Sequence, residues 1–448
     1  MTAGSDASAV SDEDRTALAD TVTRFARAEI APHVDAWDAA GEFPRSLYRR
    51  AADLGLLGLG YPEQYGGTPA SYQLRLPLWR ALSRHGASGG VLASLLSHNI
   101  GLPPVLAHGS DAVRAEVIPP VLAGEQIAAL AITEPGGGSD VAQLKTTARR
   151  EGDDYVVNGE KVFITSGMRA DWITVAVRTG DAGRDYEPPR SPASHGSLPP
   201  EGALAALGRP GGGKGSAGIS MLLIPGHSAG LSRSKLDKMG WLCSDTAHLR
   251  FDNVRVPARY LLGEEGAGFR IIMANFNGER FGLAASALGF AEACYDEALA
   301  WARQRKTFGA ALVEHQVIRH KLVDMQMRIQ STAAWCESVA AQADAGRAGD
   351  AAAPGRPKPQ QPPWGAATHA QQGSVGADSA WVAQVCLLKN HATQTMQFCA
   401  DQAVQILGGM GFMRGTVSER IYREVKVMMI GGGAEEIMKD LAAKQLGI

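Results

Sequence analysis

The spacing of apolar positions changes twice along the 448 residues. From Asp12 to about Ile127 they recur at helical intervals, as in Leu18, Val22, Phe25 and Ile30, punctuated by Pro32, Pro44, Pro62 and Pro103, so residues 1–127 read as an all-helical domain. From about Ala128 the pattern turns strand-like. Tyr155-Val-Val157 and Lys161-Val-Phe-Ile-Thr165 flank Asn158-Gly159, a dipeptide that supplies the positive φ angles of a type I′ hairpin turn. Further strand candidates at Trp172–Thr179, Gly218–Pro225 and His248–Val256 predict a small antiparallel barrel or sandwich over 128–256. After Pro257 the helical period returns, with Leu288, Ala291, Tyr295, Ala298 and Ala302 along one face. Helices over about Gln316–Ala345, Ala380–Gly408 and Val417–Val427, and another from Glu435, complete a helix bundle over 257–448. Two stretches fit neither period: 180–217, rich in Gly, Pro and Ser, and the Pro-rich 346–378, both read as disordered insertions. The predicted class is a multidomain α+β chain.

Length allows about three domains, each large enough for its own core. A formal net charge of −2 removes the electrostatic basis for gripping nucleic acid or anionic lipid. The cysteines Cys243, Cys294, Cys336, Cys386 and Cys399 are scattered, with no C-x-x-C pair and no metal-ligand spacing, which predicts a reducing compartment and no metal centre. The polar first 15 residues and the lack of an 18-residue apolar run predict a cytoplasmic chain without a membrane span.

Five segments could carry chemistry, and each has a plainer alternative. Ala131-Ile-Thr-Glu-Pro-Gly-Gly-Gly-Ser-Asp140 offers the hydroxyls of Thr133 and Ser139, and glycines including Gly138 that bring bare N–H groups to a polar ligand; it could equally be an interdomain turn. In Phe163-Ile164-Thr165-Ser-Gly167 an aromatic beside a hydroxyl could cover a flat heterocycle or simply fill a core. Arg303-Gln-Arg-Lys-Thr-Phe-Gly309, followed by His315-Gln316, suits phosphate, yet cations also complement a helix C-terminus. Gln405-Ile-Leu-Gly408-Gly409-Met-Gly-Phe412 reads as a glycine cap. Glu279-Arg280 opens a long helical pattern, where an acid in the first turn is usually a solvated dipole partner.

Taken in this order, and with Asp237-Lys-Met-Gly-Trp241, the segments resemble the acyl-CoA dehydrogenase family over nearly the whole chain apart from residues 1–10 and the two insertions. The resemblance implies an N-terminal helical domain, a middle β domain and a C-terminal four-helix bundle. FAD lies between the β domain, the bundle and a neighbouring subunit, commonly in a homotetramer. It implies that Thr133, Gly138, Phe163, Ile164 and Thr165 meet the flavin, and that Ser139 lies near flavin phosphate and the pantetheine arm of the thioester. Arg305, Thr307, Phe308, Gln316, Gln405, Gly408 and Gly409 reach the FAD of the adjoining chain, and Glu436 is a further cofactor contact. Asn277, Arg280 and Gly432 fall to the substrate.

In many members the catalytic glutamate sits on the loop that here reads Gly431-Gly432-Gly433, where Gly432 cannot act as a base. In the long-chain and isovaleryl branches it lies on the first bundle helix directly before an arginine, the position of Glu279-Arg280. The implied reaction is α,β-dehydrogenation of an acyl-CoA. Glu279 takes the α-proton, hydride passes to the flavin, the flavin ribityl hydroxyl and Gly432 N–H hold the enolate oxygen, and an electron-transfer flavoprotein collects the electrons. Glu435 and Glu436 are the reserve candidates for the base. Ala434 and Asn277 depart from a family threonine and aspartate, which bears on cofactor and CoA contacts. Leu95, Ser97 and Met428 are candidate pocket residues. Two other readings stay open: an oxidase that reduces O₂, and a DNA-associating flavoprotein of the same fold.

Overall fold

The computed structural model describes residues 11–180, 216, 218–351 and 375–448. The predicted insertion 180–217 falls almost entirely outside the described residues, as does 352–374 of the second, but 346–351 and 375–378, read as disordered, are helical. Hydroxyl caps start several N-terminal helices: Ser11, Ser71, Ser88 and Ser110 each accept a backbone N–H three residues on, satisfying donors that a helix start leaves unpaired. The helices are α1 (Asp12–Phe25), α2 (Val34–Ala40), α3 (Ser46–Asp53), α4 (Tyr72–Gly86), α5 (Gly89–Leu95), α6 (His98–Gly101), α7 (Pro103–His108) and α8 (Asp111–Leu122). No single helix among the described residues is long and apolar enough to cross a membrane.

The middle of the chain forms β1 (Ala128–Ala131), β2 (Thr147–Glu151), β3 (Asp154–Ile164), β4 (Trp172–Arg178), β5 (Ile219–Pro225), β6 (Leu231–Lys235), β7 (Ala247–Pro257) and β8 (Leu261–Leu262). They pair in the order β6-β7-β3-β2-β4-β5-β8, with β1 also on β4. The sheet is mixed where antiparallel pairing throughout was expected, because β1 and β2 both run parallel to β4. The antiparallel pairs β2–β3, β3–β7, β4–β5 and β6–β7 still dominate.

Asn158-Gly159 is not a hairpin turn. It lies inside β3, which runs unbroken from Asp154 to Ile164, and the register against β7 shifts between Val157 and Gly159. The dipeptide forms a bulge: Gly159 takes φ +143°, and a Cβ there would lie 2.6 Å from Thr146 Oγ1. Asn158 ties the bulge to β7 by accepting from Asn253 N at 2.8 Å. The turn that closes the β2–β3 hairpin is Gly152-Asp153, bracketed by the Glu151–Asp154 pair.

The C-terminal part holds α9 (Gly268–Gln304), the short hairpin β9 (Lys306–Thr307) and β10 (Ala310–Ala311), then α10 (Gln316–Ala351), α11 (Val375–Leu407), α12 (Val417–Ile430) and α13 (Glu435–Leu446). Leu288, Ala291, Ala298 and Ala302 are fully buried, as their spacing predicts. Small residues let helices close in. At Gly289 any Cβ would collide with the Arg80 carbonyl oxygen of α4, while Arg80 Nε donates to Glu292 at 3.0 Å beside it. Phe281 packs edge-on against Tyr72 at 5.0 Å between ring centroids, so α9 belongs to one core with the N-terminal helices.

Helix α9 starts earlier than its sequence suggests, and Glu279 therefore stands in its interior, well past the first turn. Gly268, Asn275, Asn277 and Gly278 are poor helix formers, but packing overrides propensity: a Cβ on Gly268 would come within 2.6 Å of the Ser220 carbonyl carbon of β5.

Candidate active site

Glu279 reaches toward the turn between α12 and α13. The residue as a whole is partly exposed, yet its Oε2 is sealed from solvent without a hydrogen-bond partner. Its Oε1 would lie 3.6 Å from a Cβ placed on Gly432, and Leu283 Cδ1 would lie 2.9 Å from that same Cβ. Gly432 has φ +68°, which glycine adopts without strain. Burial pushes the Glu279 carboxyl up to about 7, against the opposing pull of Arg280 and Lys389.

Two cations organise this turn through its carbonyl oxygens. Arg280 Nε donates to Gly432 O at 3.0 Å and Arg280 Nη1 to Asn277 Oδ1 at 3.0 Å, so Asn277 is already engaged by Arg280. Lys389, fully buried on α11, donates to Met429 O at 2.7 Å and Gly433 O at 2.8 Å. Glu435 is poorly placed for proton removal: Gln394 and Lys439 hold its carboxylate at 2.5 and 2.9 Å, and those bonds keep its pKa below the ordinary value. Glu436 is exposed, and Ala434, at the N-cap of α13, makes no side-chain cap bond.

A second cluster gathers on the sheet. Val162 N donates to Thr133 O at 2.9 Å, which draws the Gly-rich turn alongside the end of β3. A Cβ on Gly138 would sit 3.3 Å from Thr133 Cγ2, so the turn folds back over Thr133, while Ser139 is exposed. Phe163 is 68% exposed although it interrupts a run of buried strand residues, and its φ of +63° is uncommon for a non-glycine. Such strain costs on the order of 1–3 kcal/mol and persists only where the surrounding structure over-determines the conformation. Ile164 is buried beneath it and Thr165 half-buried.

The same face is braced from below by an ion pair. Lys161, wholly buried, donates to Glu134 Oε1 at 2.8 Å and Ile132 O at 2.9 Å, and Glu134 also accepts from Lys145 N and Thr146 N. Burial pulls Lys161 down to about 8; burial pushes Glu134 up, but Lys161 and the hydrogen bonds outweigh it and hold the carboxyl below its usual value.

Arg305, Thr307, Phe308 and Gln316 sit beyond the far end of α9. Phe308 is 99% exposed at the tip of the β9–β10 turn, and His315 bridges to Thr307 O at 3.2 Å. Gln405, Gly408 and Gly409 are exposed where α11 ends, next to Phe412 at 87% exposure. Arg305 lies 26 residues after Glu279, about 39 Å along a helix axis at 1.5 Å per residue. One chain therefore cannot bring both ends to a small ligand. Leu95 and Met428 are packed into the core, and Ser97 donates to Ala128 O at 2.9 Å. Cavities of about 470 and 500 Å³ lie elsewhere, between α1 and α4 and between α10, α11 and α12. Among the described residues no cluster of His, Cys, Asp and Glu could hold a metal.

The bracing residues Lys161, Glu134 and Lys389 escaped the sequence reading. Their one signal is a cation inside an apolar run: Lys161 beside Val-Phe-Ile, and Lys389 after Val-Cys-Leu-Leu. Leu283, one turn beyond Glu279, carried no signal beyond its helical phase.

Three family models match the chain: the acyl-CoA dehydrogenase N-terminal domain over residues 12–125, the middle domain over 129–189, and the C-terminal domain over 266–355 and 364–447. These together with the helical, β and helical layers define a class of oxidoreductases acting on CH–CH groups. The chain belongs to the acyl-CoA dehydrogenase family. It is 32% identical over 439 residues to the mitochondrial isovaleryl-CoA dehydrogenase of Oryza sativa subsp. japonica, covering 97% of this chain and 91% of that one. It is 31% identical over 429 residues to the mitochondrial long-chain specific acyl-CoA dehydrogenase of Rattus norvegicus, covering 95% and 85%. The crystal structure of an acyl-CoA dehydrogenase from Geobacillus kaustophilus superposes with a TM-score of 0.80 at 29% identity, over 99% of this chain and all of that chain (100%).

The family implies FAD, and the residues present fit it. An outward-facing aromatic in a strained conformation, the half-buried Thr165 two residues on, Thr133 bonded alongside through its carbonyl, and a carboxylate oxygen sealed from solvent without a partner are what a flat, hydrogen-bonding heterocycle near a base requires.

Proposed function

We propose that this chain oxidises the Cα–Cβ bond of an acyl-CoA thioester to the trans-2-enoyl-CoA, with Glu279 as the catalytic base. The observation that carries the reading is the unpartnered, solvent-sealed Glu279 Oε2 against Gly432. A carboxylate in water is too weak a base for a proton next to a thioester; desolvation raises its basicity, and a pKa of about 7 leaves about half of the carboxyl ionised near pH 7, so the rate should rise as pH rises through that value. Glu279 removes the α-proton as the Cα–H pair moves into the enolate. Gly432 N–H donates to the developing oxygen, and with no side chain there the thioester can approach the turn closely. Arg280 fixes the turn through Gly432 O and holds Asn277 through its Oδ1, and both residues are proposed to face the substrate.

FAD, when bound, accepts the hydride from the β-carbon. Thr133, Gly138, Ser139, Phe163, Ile164 and Thr165 hold its ring and phosphate, with Glu436 as a further contact. Arg305, Thr307, Phe308, Gln316, Gln405, Gly408 and Gly409 serve the FAD of a second copy in a homotetramer built from mutually completing pairs; the roughly 39 Å of helix between Glu279 and Arg305 supports this reading. An electron-transfer flavoprotein is the proposed acceptor. The test is anaerobic mixing of the yellow protein with a panel of straight, branched and cyclic acyl-CoA thioesters. At least one should bleach the flavin within the mixing experiment; a flavin that no thioester reduces, or protein that takes up no flavin, overturns the reading.

A further inference from the structure

Beside Glu279 the chain leaves α12 after Ile430 and turns through Gly431-Gly432-Gly433, and the carbonyls at both ends of this 429–433 corner are held. Lys389 spans them, donating to Met429 O and Gly433 O, and the next residue, Asn390, donates to Glu435 O at 2.8 Å. Helix α11 thus carries a two-residue clamp that fixes the end of α12 and the start of α13. Lys389 is fully buried, and a buried ammonium is costly unless nearby acceptors and charge compensate it. Two carbonyls compensate part of that cost, and among nearby charges the Glu279 carboxylate does most to favour the ammonium.

We propose that Lys389 is a positioning residue for proton removal: its ammonium holds the 429–433 turn against Glu279 and at the same time stabilises the ionised form of that base. The inference rests on the assignment of Glu279 made above. Two effects follow from one group. The clamp sets where Gly432 stands, and hence where a thioester oxygen would be held. The charge sets how much of Glu279 is ionised at a given pH, since an opposite charge near a buried carboxyl lowers its pKa.

The other groups facing this pair are few. Arg280 on α9 faces Glu279 directly; Cys386, on α11 one turn before Lys389, faces both cations; and Glu435 on α13 faces Lys389. Arg280 remains in place when Lys389 is changed, so the turn keeps one of its anchors, at Gly432 O. Lys389→Gln retains a donor for one carbonyl but removes the charge.

The experiment follows anaerobic flavin reduction from pH 5.5 to 9 (about the range over which the base ionises) in wild type, Lys389→Gln, Lys389→Arg and Glu279→Gln. Amide hydrogen exchange of residues 429–434 is read in parallel on FAD-loaded and FAD-free protein. In Lys389→Gln the acid limb of the rate profile moves up by on the order of one pH unit, about tenfold slower reduction near pH 6, and exchange of the turn accelerates with or without FAD. Lys389→Arg returns the limb to the wild-type position because the charge is restored. A Lys389→Gln profile with its limb unmoved overturns the inference. Should that variant fail to hold FAD, Lys389→Arg decides: slower reduction with an unmoved limb supports the assignment, and a displaced limb overturns it. Glu279→Gln separates the two levels, since fast bleaching in that variant defeats the assignment of the base itself, whatever Lys389 does.

Discussion

Holding a carboxyl at about 7 in the folded chain makes Glu279 a liability for stability, and the size of that liability follows from the structure. Its ordinary value is 4.5. Between those two values the folded chain keeps a proton that the unfolded chain has released. The unfolded state then binds fewer protons, so stability falls as pH rises through this window and levels off above about 7. At 1.36 kcal/mol per unit the full difference is about 3 kcal/mol, trimmed by the partial exposure of the side chain. Glu279→Gln removes the titration. The amide brings its own cost for an unsatisfied buried donor, but that cost does not change with pH. The decisive quantity is therefore the slope: thermal midpoints of FAD-loaded wild type and variant, measured from pH 4.5 to 8.5, should separate progressively through the window, with the variant gaining on wild type by a few degrees at the alkaline end. Parallel curves would mean that the carboxyl titrates at an ordinary value and is not desolvated, which would remove the physical basis for its strength as a base.

Three further outcomes follow. Gly432→Ala places a methyl at φ +68° within 2.9 Å of Leu283 Cδ1; the left-handed conformation costs roughly 1–2 kcal/mol, and flavin reduction should slow by about tenfold or more while FAD binding, read from absorbance, stays near wild type. Lys161→Met leaves Glu134 buried without its partner, a loss of roughly 3–5 kcal/mol, and should weaken FAD retention on gel filtration because Thr133 and Phe163 lose the brace beneath them. Phe308→Asp puts a charge on a side chain 99% exposed in the single chain; sedimentation should show assemblies smaller than the proposed tetramer together with loss of FAD, and an unchanged, fully loaded assembly would refute the shared-site reading.

The sequence carried the bundle helices because their burial is periodic, as the buried face Leu288, Ala291, Ala298 and Ala302 illustrates, and it carried β4 and β5 as continuous apolar runs. Where identity is set by tertiary contact the pattern misled. Asn158-Gly159 has the composition of a type I′ turn, but Thr146 packing beside Gly159 and the side-chain bond to Asn253 select a bulge, a choice no local rule separates from a turn. Strands β2 and β6 are short and largely polar, Thr147-Ala-Arg-Arg-Glu151 and Leu231-Ser-Arg-Ser-Lys235, so they gave no apolar alternation to read. The first turns of α9 were hidden by glycine and asparagine that only packing against β5 makes helical. At the site, motif order singled out Glu279 and Phe163, but not the buried cations that brace them, because a lysine's partners lie far away in the chain: Lys389 meets Met429 and Gly433 across 40 and 44 residues.

Proton removal by Glu279 is tested most directly by mixing Glu279→Gln, loaded with FAD, anaerobically with a thioester that reduces the wild type, while following both flavin absorbance and loss of α-deuterium from labelled substrate. The variant should remain yellow and retain the label, with both rates lower by at least roughly 10² to 10⁴-fold. Bleaching and label loss at the wild-type rate would contradict the account.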